Sequence, residues 1–160
     1  MLKLAFGCFC LMASSVVAGP AQDWDMSGDW AIKVVSSADN GCFMERGFPS
    51  GTIVRVGFVP NREGAFFAAF NQNWFGIKVA ETKTVIFDFG VSRFGGEVLG
   101  VSENGILGGY AFFNNPEFTT EIGKRLSVTI IGESGDSEEI DLAGSQRAIV
   151  ALKKCQAEQS

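Results

Sequence analysis

The chain has 160 residues, a formal net charge of −5 and no histidine. The lack of an imidazole excludes Ser-His-Asp and Cys-His nucleophilic sites as well as histidine-ligated zinc. The acidic balance and the lack of a basic stripe argue against binding to nucleic acid or to an anionic membrane surface, because both depend on clustered cations.

Residues 1–18 have the three-part pattern of a cleaved secretory signal. Lys3 is the positive residue, residues 4–17 form an uncharged apolar run, and the small residues Val16 and Ala18 suit the cleavage site. The run is too short to span a bilayer and no longer one follows, so we expect no transmembrane segment in the mature chain. We therefore predict an exported protein that is periplasmic, secreted or surface-associated.

Cleavage would remove Cys8 and Cys10 and leave Cys42 and Cys155 in a compartment where disulfides persist. Two cysteines allow a single intramolecular pairing, so we predict a Cys42–Cys155 disulfide. The alternatives are an intermolecular bridge and a redox cysteine, although the latter lacks a CxxC motif.

Residues 19–29 are predicted to form an N-terminal arm, residues 30–155 one β domain, and residues 156–160 a disordered tail. Turn signals such as Asn40-Gly41 and Asn104-Gly105 recur roughly every 8–15 residues between β-rich runs. This pattern predicts a mainly β fold, namely a single antiparallel β-sandwich or barrel-like domain. The predicted strands cover residues 30–36, 42–46, 52–59, 65–71, 84–89, 97–102, 106–113, 126–131 and 138–142.

Two short helices complete the predicted domain. Asn115 and Pro116 are typical of a helix start, and Gly123 is expected to end that helix. The second helix is expected to begin at a capping Ser145 and to carry Cys155 on its apolar stripe. The disulfide would then clamp this C-terminal helix against the first hairpin.

Aromatic residues occur in adjacent pairs: Phe66-Phe67, Trp74-Phe75 and Phe112-Phe113. Because neighbouring side chains of a strand point to opposite faces, the two rings of a pair cannot enter the same core. The rings fill a two-layer core, or some of them form a patch or cavity for an apolar ligand or a protein partner. The candidate interaction surface consists of Asn71, Asn73, Trp74 and Phe75.

An acidic cluster contains Glu133, Asp136 and Glu138. It is interpreted as a solvated hairpin turn, with calcium binding as the alternative, because hard oxygen ligands are present without the EF-hand spacing. Gly95-Gly96 and Gly108-Gly109 fall between β-rich runs and lack the context of a phosphate-binding loop, so no nucleotide cofactor is expected. We predict no catalytic residue, metal or cofactor.

Short segments near the two ends of the domain resemble a known family. Residues Trp30 to Lys33, Cys42 to Arg46, and Ile140 to Ser145 followed by Ala148 and Leu152 carry the similarity. They resemble the small exported alphaproteobacterial proteins of the invasion-associated locus B type, although the additional central cysteines usual in that family are missing. The resemblance implies a β-sandwich-like bacterial protein of the periplasm or surface with no catalytic residues.

Three functions follow as expectations. The first is a non-enzymatic periplasmic accessory protein that binds another envelope or surface protein. The second is a binder of a small apolar ligand or lipid in a barrel-like cavity, which a lining of Phe87, Phe89 and Phe112 would favour. The third is a carboxylate-dependent glycan hydrolase, which two facing carboxylates in a cleft would favour.

Overall fold

A computed structural model gives the structure of residues 20–36 and 39–159. The predicted signal peptide, residues 1–18, lies outside the described residues, as does Ser160. In the described ranges, neither helix is long and apolar enough to cross a membrane.

The fold is mainly β, with ten strands and two helices. The strands are β1 (Gln22–Ser27), β2 (Trp30–Val35), β3 (Gly41–Gly47), β4 (Thr52–Gly57), β5 (Ala65–Asn71), β6 (Thr82–Asp88), β7 (Arg93–Glu103), β8 (Ile106–Phe113), β9 (Ser127–Ile131) and β10 (Ser137–Asp141). Helix α1 (Pro116–Lys124) follows β8, and helix α2 (Ser145–Glu158) follows β10.

All the strands belong to one antiparallel sheet in the order β1-β2-β3-β4-β5-β8-β7-β6-β9-β10. Short turns produce the local hairpins, and Asn104 and Gly105 both adopt positive φ where β7 turns into β8, as predicted. The expectation of an antiparallel, mainly β domain is therefore confirmed. The pairings of β5 with β8 and of β6 with β9 are long-range elements of the topology.

The sheet curls into an open barrel. Five strands separate β4 from β10 in the sheet order, yet Thr52 at the start of β4 donates a hydrogen bond to Glu138 on β10. Arg46 on β3 also pairs with Asp141 on β10 at 3.2 Å. Within the described residues no backbone ladder joins these strands, so side chains alone bridge the seam.

Strand alternation decides which side chains enter the barrel. In β4, Thr52, Val54 and Val56 are buried and point inward, as their spacing predicts. The pairs Phe66-Phe67 and Phe112-Phe113 place one ring on each face, and Phe67 and Phe113 are the inner members.

Helix α1 fills one end of the barrel with Phe118. Asn115 caps the helix by accepting a hydrogen bond from the Glu117 backbone nitrogen at 2.9 Å, as predicted. Phe118 is fully buried and stacks on Phe113, with 3.8 Å between ring centroids. The helix continues past Gly123 to Lys124, which corrects the predicted end by one residue.

Helix α2 packs against β1, β2 and β3 and carries Cys155 toward Cys42. The two cysteines form the predicted disulfide, with 6.2 Å between their Cα atoms. The helix starts differently from the prediction. Gly144 is the capping residue, and Ser145 donates its hydroxyl to the Ile122 carbonyl at 2.6 Å. Ser145 therefore links the two helices.

The two ends of the predicted domain also differ from expectation. The predicted N-terminal arm, residues 19–29, contains strand β1, which pairs with β2 and forms an edge of the sheet. Helix α2 extends to Glu158, into the segment 156–160 that was expected to be disordered. Gln156 contacts the first hairpin by accepting a hydrogen bond from the Cys42 backbone nitrogen at 2.9 Å.

Candidate functional site

The connection between β5 and β6, residues 72–81, crosses the open end of the barrel. Since β8 and β7 stand between β5 and β6 in the sheet, this connection has to pass over the ends of both strands. Helix α1 makes the corresponding crossing at the opposite end, from β8 to β9. We call residues 72–81 the crossing loop.

Gly100 on β7 anchors the crossing loop. Its carbonyl accepts a hydrogen bond from the Ala80 nitrogen at 2.9 Å, and its nitrogen donates to the Glu81 carbonyl at 2.8 Å. The anchoring requires glycine, because a Cβ at this position would lie 2.1 Å from the Lys78 carbonyl oxygen. The missing side chain thus allows the loop backbone to lie directly on β7.

A cavity of about 490 Å³ lies beneath the crossing loop, on the inner face of the sheet. Its lining is mainly apolar and comes from β5, β6, β7 and β8 together with the loop. The inner-face residues that line it include Phe67, Ala69, Val85, Phe87, Val98 and Ala111. The volume falls within the range of about 300–1,000 Å³ that is usual for small-molecule sites.

Small residues leave this space open. The inner faces of β5, β7 and β8 present Ala69, Gly100, Gly109 and Ala111 to the cavity, and none of these side chains extends far from the sheet. Phe67 and Phe87 form the floor, with an edge-to-face contact of 5.1 Å between ring centroids. The floor rests on the plug of helix α1, since Phe87 also contacts Phe118 at 5.4 Å.

One wall of the cavity mouth is tied to the last strand. The indole nitrogen of Trp74 donates a hydrogen bond to Glu138 Oε2 at 3.2 Å. The other oxygen of Glu138 accepts from the hydroxyls of Ser50 and Thr52. The side chain of Glu138 therefore joins the crossing loop, the turn before β4 and β10 in a single polar network.

Asn71 belongs to this network and is not a surface residue. Its side chain is 4% exposed, and its amide nitrogen donates to Thr52 Oγ1 at 2.8 Å and to the Ser50 carbonyl at 3.2 Å. Its amide oxygen accepts from the Asn73 backbone nitrogen at 2.8 Å. The prediction of Asn71 as an interaction residue is corrected, because its polar atoms are used to shape the start of the crossing loop.

The other predicted surface residues lie in the crossing loop and line the cavity, but they differ in exposure. Asn73 is exposed, Trp74 is half-buried against the core, and Phe75 is 89% exposed. Trp74 and Phe75 thus lie in a loop and not on the two faces of a strand. This loop was predicted to form an interaction surface because of its aromatic residues, and it lies at the mouth of the cavity.

Two lysines line the same mouth. Lys78 lies 3.3 Å from Glu81, and Lys83 lies 3.9 Å from the same carboxylate. Both lysine side chains are at least half exposed. The sequence interpretation did not single them out, because nothing in their spacing shows that they meet at one opening.

The three acidic residues proposed as calcium ligands have separate partners. Glu133 accepts a hydrogen bond from the Thr84 nitrogen at 2.9 Å, and Asp136 accepts from Ser134 Oγ at 2.7 Å. Glu138 is held at the mouth of the cavity. In residues 20–36 and 39–159 no group of three or more acidic or cysteine side chains is arranged to hold a metal ion. The structure therefore does not assemble the calcium site.

The outer face of the sheet carries a second aromatic layer that packs on itself. Phe66 stacks on Tyr110 with 5.3 Å between centroids, and the Arg55 guanidinium lies 5.2 Å from the Phe43 ring and 5.1 Å from the Phe70 ring. Burial by itself raises the pKa of the Glu45 carboxyl, but hydrogen bonds from Lys33 and Arg55 outweigh it and lower the pKa below its ordinary value. This face has the contacts of a structural layer.

Only one of the three phenylalanines named for a cavity lines it. Phe87 forms the floor. Phe89 is buried in the core against Phe94 and Phe118, and Phe112 lies on the outer face with the Arg62 guanidinium 3.5 Å from its centroid. The cavity therefore differs from the one considered in the sequence analysis, because Phe67 and the small residues of β7 and β8 complete its lining in place of Phe89 and Phe112.

Comparisons of the chain with protein-family models, curated proteins and solved structures find no match. The resemblance to the invasion-associated locus B type stays a prediction. The cavity and its mouth are therefore the basis for a functional proposal.

Proposed function

We propose that this domain is a non-enzymatic binding protein that holds a small apolar ligand in the cavity beneath the crossing loop. The observation that carries the proposal is the apolar cavity of about 490 Å³ inside a barrel whose other end is filled by Phe118. Protein interiors are ordinarily close-packed, with few voids larger than a water molecule. An open space of this size supports a binding role.

The energetics of the lining favour an apolar occupant. Val85 and Val98 in the lining are only partly buried, so part of their apolar surface is in contact with water, and removal of apolar surface from water contributes about 25 cal/mol per Å². A ligand that displaces this water buries its own apolar surface as well. Few polar groups lie deep in the cavity, so the affinity rests on the hydrophobic effect.

The carboxylates at the mouth support binding without chemistry. Glu81 pairs with the two lysines, Asp136 accepts from Ser134, and Glu138 accepts from Trp74 and from two hydroxyls. A glycan hydrolase needs one carboxyl that donates a proton and a second that acts as base or nucleophile. The contacts of these three acids instead favour a structural role at the opening.

The place of action is part of the proposal. Residues 1–18 have the pattern of a secretory signal, and the Cys42–Cys155 disulfide is of a kind that persists outside the cytosol. We therefore propose that the ligand is encountered in the periplasm or at the cell surface.

A fluorescence titration tests ligand binding. The uncharged dye N-phenylnaphthylamine, which brightens in apolar surroundings, should bind the wild-type mature protein at one saturable site. Val85→Trp should abolish or strongly weaken binding, because Val85 lines the cavity and an indole there occupies the space. The matched control is Ile86→Trp, one residue along β6 on the outer face, which should leave binding unchanged.

Circular dichroism should show that both variants keep the β fold. A wild-type protein that binds neither this dye nor an alkyl alcohol would refute the proposal. Equal dye binding by the two folded variants would place the dye elsewhere and would also count against the cavity.

A second candidate function, docking to an envelope or surface protein, is favoured by the exposed rim of the same loop. Phe75 is 89% exposed and Val79 is 59% exposed. Large apolar side chains in such positions are typical of contact surfaces. Affinity capture from envelope extract should retain a partner with the wild type and lose it with Phe75→Ser. Val91→Ser is the control, because Val91 is also exposed but lies in the turn at the opposite end of the barrel.

A further inference from the structure

Resting on the proposed function, we infer that the ligand is an anionic amphiphile: an alkyl chain in the cavity with a carboxylate or phosphate head held at the mouth by Lys83 and Lys78. Three observations carry this inference. The Lys83 side chain lies on the inner face of β6, the ammonium groups of Lys78 and Lys83 can donate further hydrogen bonds, and the nearby carboxylates already accept hydrogen bonds.

Lys83 shares the inner face of β6 with the apolar wall of the cavity. Side chains two residues apart on a strand point to the same face, so Lys83 lies in line with Val85 and Phe87. At about 3.4 Å per residue, the strand advances about 14 Å from Lys83 to the floor at Phe87. That span suits an alkyl chain of medium length with its head beside the ammonium group.

The two lysines have spare hydrogen-bonding capacity. An ammonium group has three donors, yet among the described residues the side chains of Lys83 and Lys78 share one carboxylate, Glu81, at 3.9 and 3.3 Å. Neither ammonium makes another ion pair or side-chain hydrogen bond in residues 20–36 and 39–159. A ligand head with several acceptor oxygens would complete their coordination.

The carboxylates on the other side of the mouth are less available to bind a cationic head group, because they already accept hydrogen bonds. Both oxygens of Glu138 accept hydrogen bonds, and Asp136 accepts from Ser134. A cationic head would in addition meet the ammonium groups of Lys78 and Lys83. The two ammonium groups are therefore the charged donors at this opening, beside the neutral side chains of Asn73 and Ser137, and they favour a negative head.

The inference is tested with four ligands that share one alkyl chain: decanoate, decyl phosphate, decanol and decyltrimethylammonium. Each displaces N-phenylnaphthylamine from the wild type, and inhibition constants are compared at low and high salt. We expect decanoate or decyl phosphate to bind about tenfold more tightly than decanol at low salt, and the advantage to shrink at high salt. The stronger of the two anions identifies the head group.

Substitutions of single lysines test which residue causes the preference for an anionic head group. Lys83→Met should remove the preference for the anion over decanol, and Lys83→Arg should retain much of that preference. Lys153→Met is the matched control, because Lys153 is an exposed lysine of α2 outside the cavity lining.

The results distinguish a failure of the inferred anionic head group from a failure of the proposed function. If decanol and the anions bind equally and Lys83→Met changes nothing, or if the cationic ligand binds best, the anionic head is refuted and the apolar site is retained. If no member of the series binds, the proposed function itself is refuted.

Discussion

The indole nitrogen of Trp74 donates to a carboxylate oxygen of Glu138 across the mouth of the cavity, with 3.2 Å between the two atoms. Trp74 lies in the crossing loop and Glu138 on the last strand, so this hydrogen bond fastens the loop to the far side of the seam. In the proposed function, the affinity of the cavity for a ligand and the rates of ligand entry and release would therefore depend on residues that lie far apart in sequence.

Trp74→Phe should loosen this attachment. The phenyl ring keeps most of the apolar contact but cannot donate to Glu138, so we expect a loss of about 1 kcal/mol in the free energy of unfolding. The dissociation rate of bound dye should rise, and urea denaturation and stopped-flow displacement measure the two effects. Phe75→Leu, one residue along and without a comparable bond, is the control. An unchanged dissociation rate in Trp74→Phe would show that the bond does not restrain the loop.

Gly100→Ala should displace the crossing loop. The new methyl group would lie 2.1 Å from the Lys78 carbonyl oxygen, so the loop backbone has to move away from β7. We expect a destabilisation of about 1–3 kcal/mol and weaker dye binding. Gly95→Ala on the same strand is the matched control, because a Cβ there has no neighbour within 4 Å. Similar dye affinities in the two variants would contradict the role of Gly100.

Replacing both Cys42 and Cys155 by serine should lower the free energy of unfolding by about 2–5 kcal/mol. The bridge closes a loop with a sequence separation of 113 residues, and a cross-link over such a distance restricts the unfolded chain strongly. Thermal or urea denaturation measures the change. In the native protein, an alkylating agent should label these two cysteines only after reduction, and labelling of the unreduced protein would contradict the disulfide.

Glu45→Gln should alter the response to acid. The folded-state pKa of Glu45 lies below its ordinary value of 4.5, because the hydrogen bonds from Lys33 and Arg55 outweigh the burial that raises it. A lowered pKa stabilises the fold above pH 4.5, and this contribution is lost as the pH falls through the folded-state pKa. We expect the variant to be less stable by about 1–2 kcal/mol at pH 7.

The difference in the free energy of unfolding between the wild type and Glu45→Gln (the gap) should become smaller when denaturation is repeated below pH 4.5. Glu97→Gln controls for the loss of one charge, since Glu97 is exposed and has no ion pair in the part of the chain that the structure describes. A gap that stays constant with pH would mean that Glu45 does not contribute through its charge.

Much of the fold follows from local signals. The alternation in β4 and the Asn104-Gly105 turn indicate their strands without knowledge of the rest of the chain, and a single pairing was open to Cys42 and Cys155. Strand β1 was missed because Asp23 and Asp25 give it the composition of a polar arm. Its extended form comes from pairing with β2, and that tertiary effect is not visible in the segment itself.

The site was harder to predict, because it arises from a non-local pairing. Once β5 pairs with β8, residues 72–81 are forced over the barrel, but no local pattern announces that pairing. Alternation identifies Ala69 and Ala111 as inward-facing residues. It does not show that small residues meet on neighbouring strands and leave a void. Asn71 was misplaced for a similar reason, since its amide is satisfied by Ser50 and Thr52 across a turn.

The contacts between the first hairpin and the end of the chain can form only after the last helix has been synthesised. Trp30 on β2 donates its indole hydrogen bond to the carbonyl of Ala143, which lies 113 positions later in the sequence. Cys42 and its disulfide partner Cys155 are also separated by 113 positions. In the proposed export of this protein, a chain that leaves the translocation pore would expose the apolar side of its first hairpin until the last helix emerges. Truncation near the C-terminus is therefore expected to prevent folding of the domain and not merely to shorten the product.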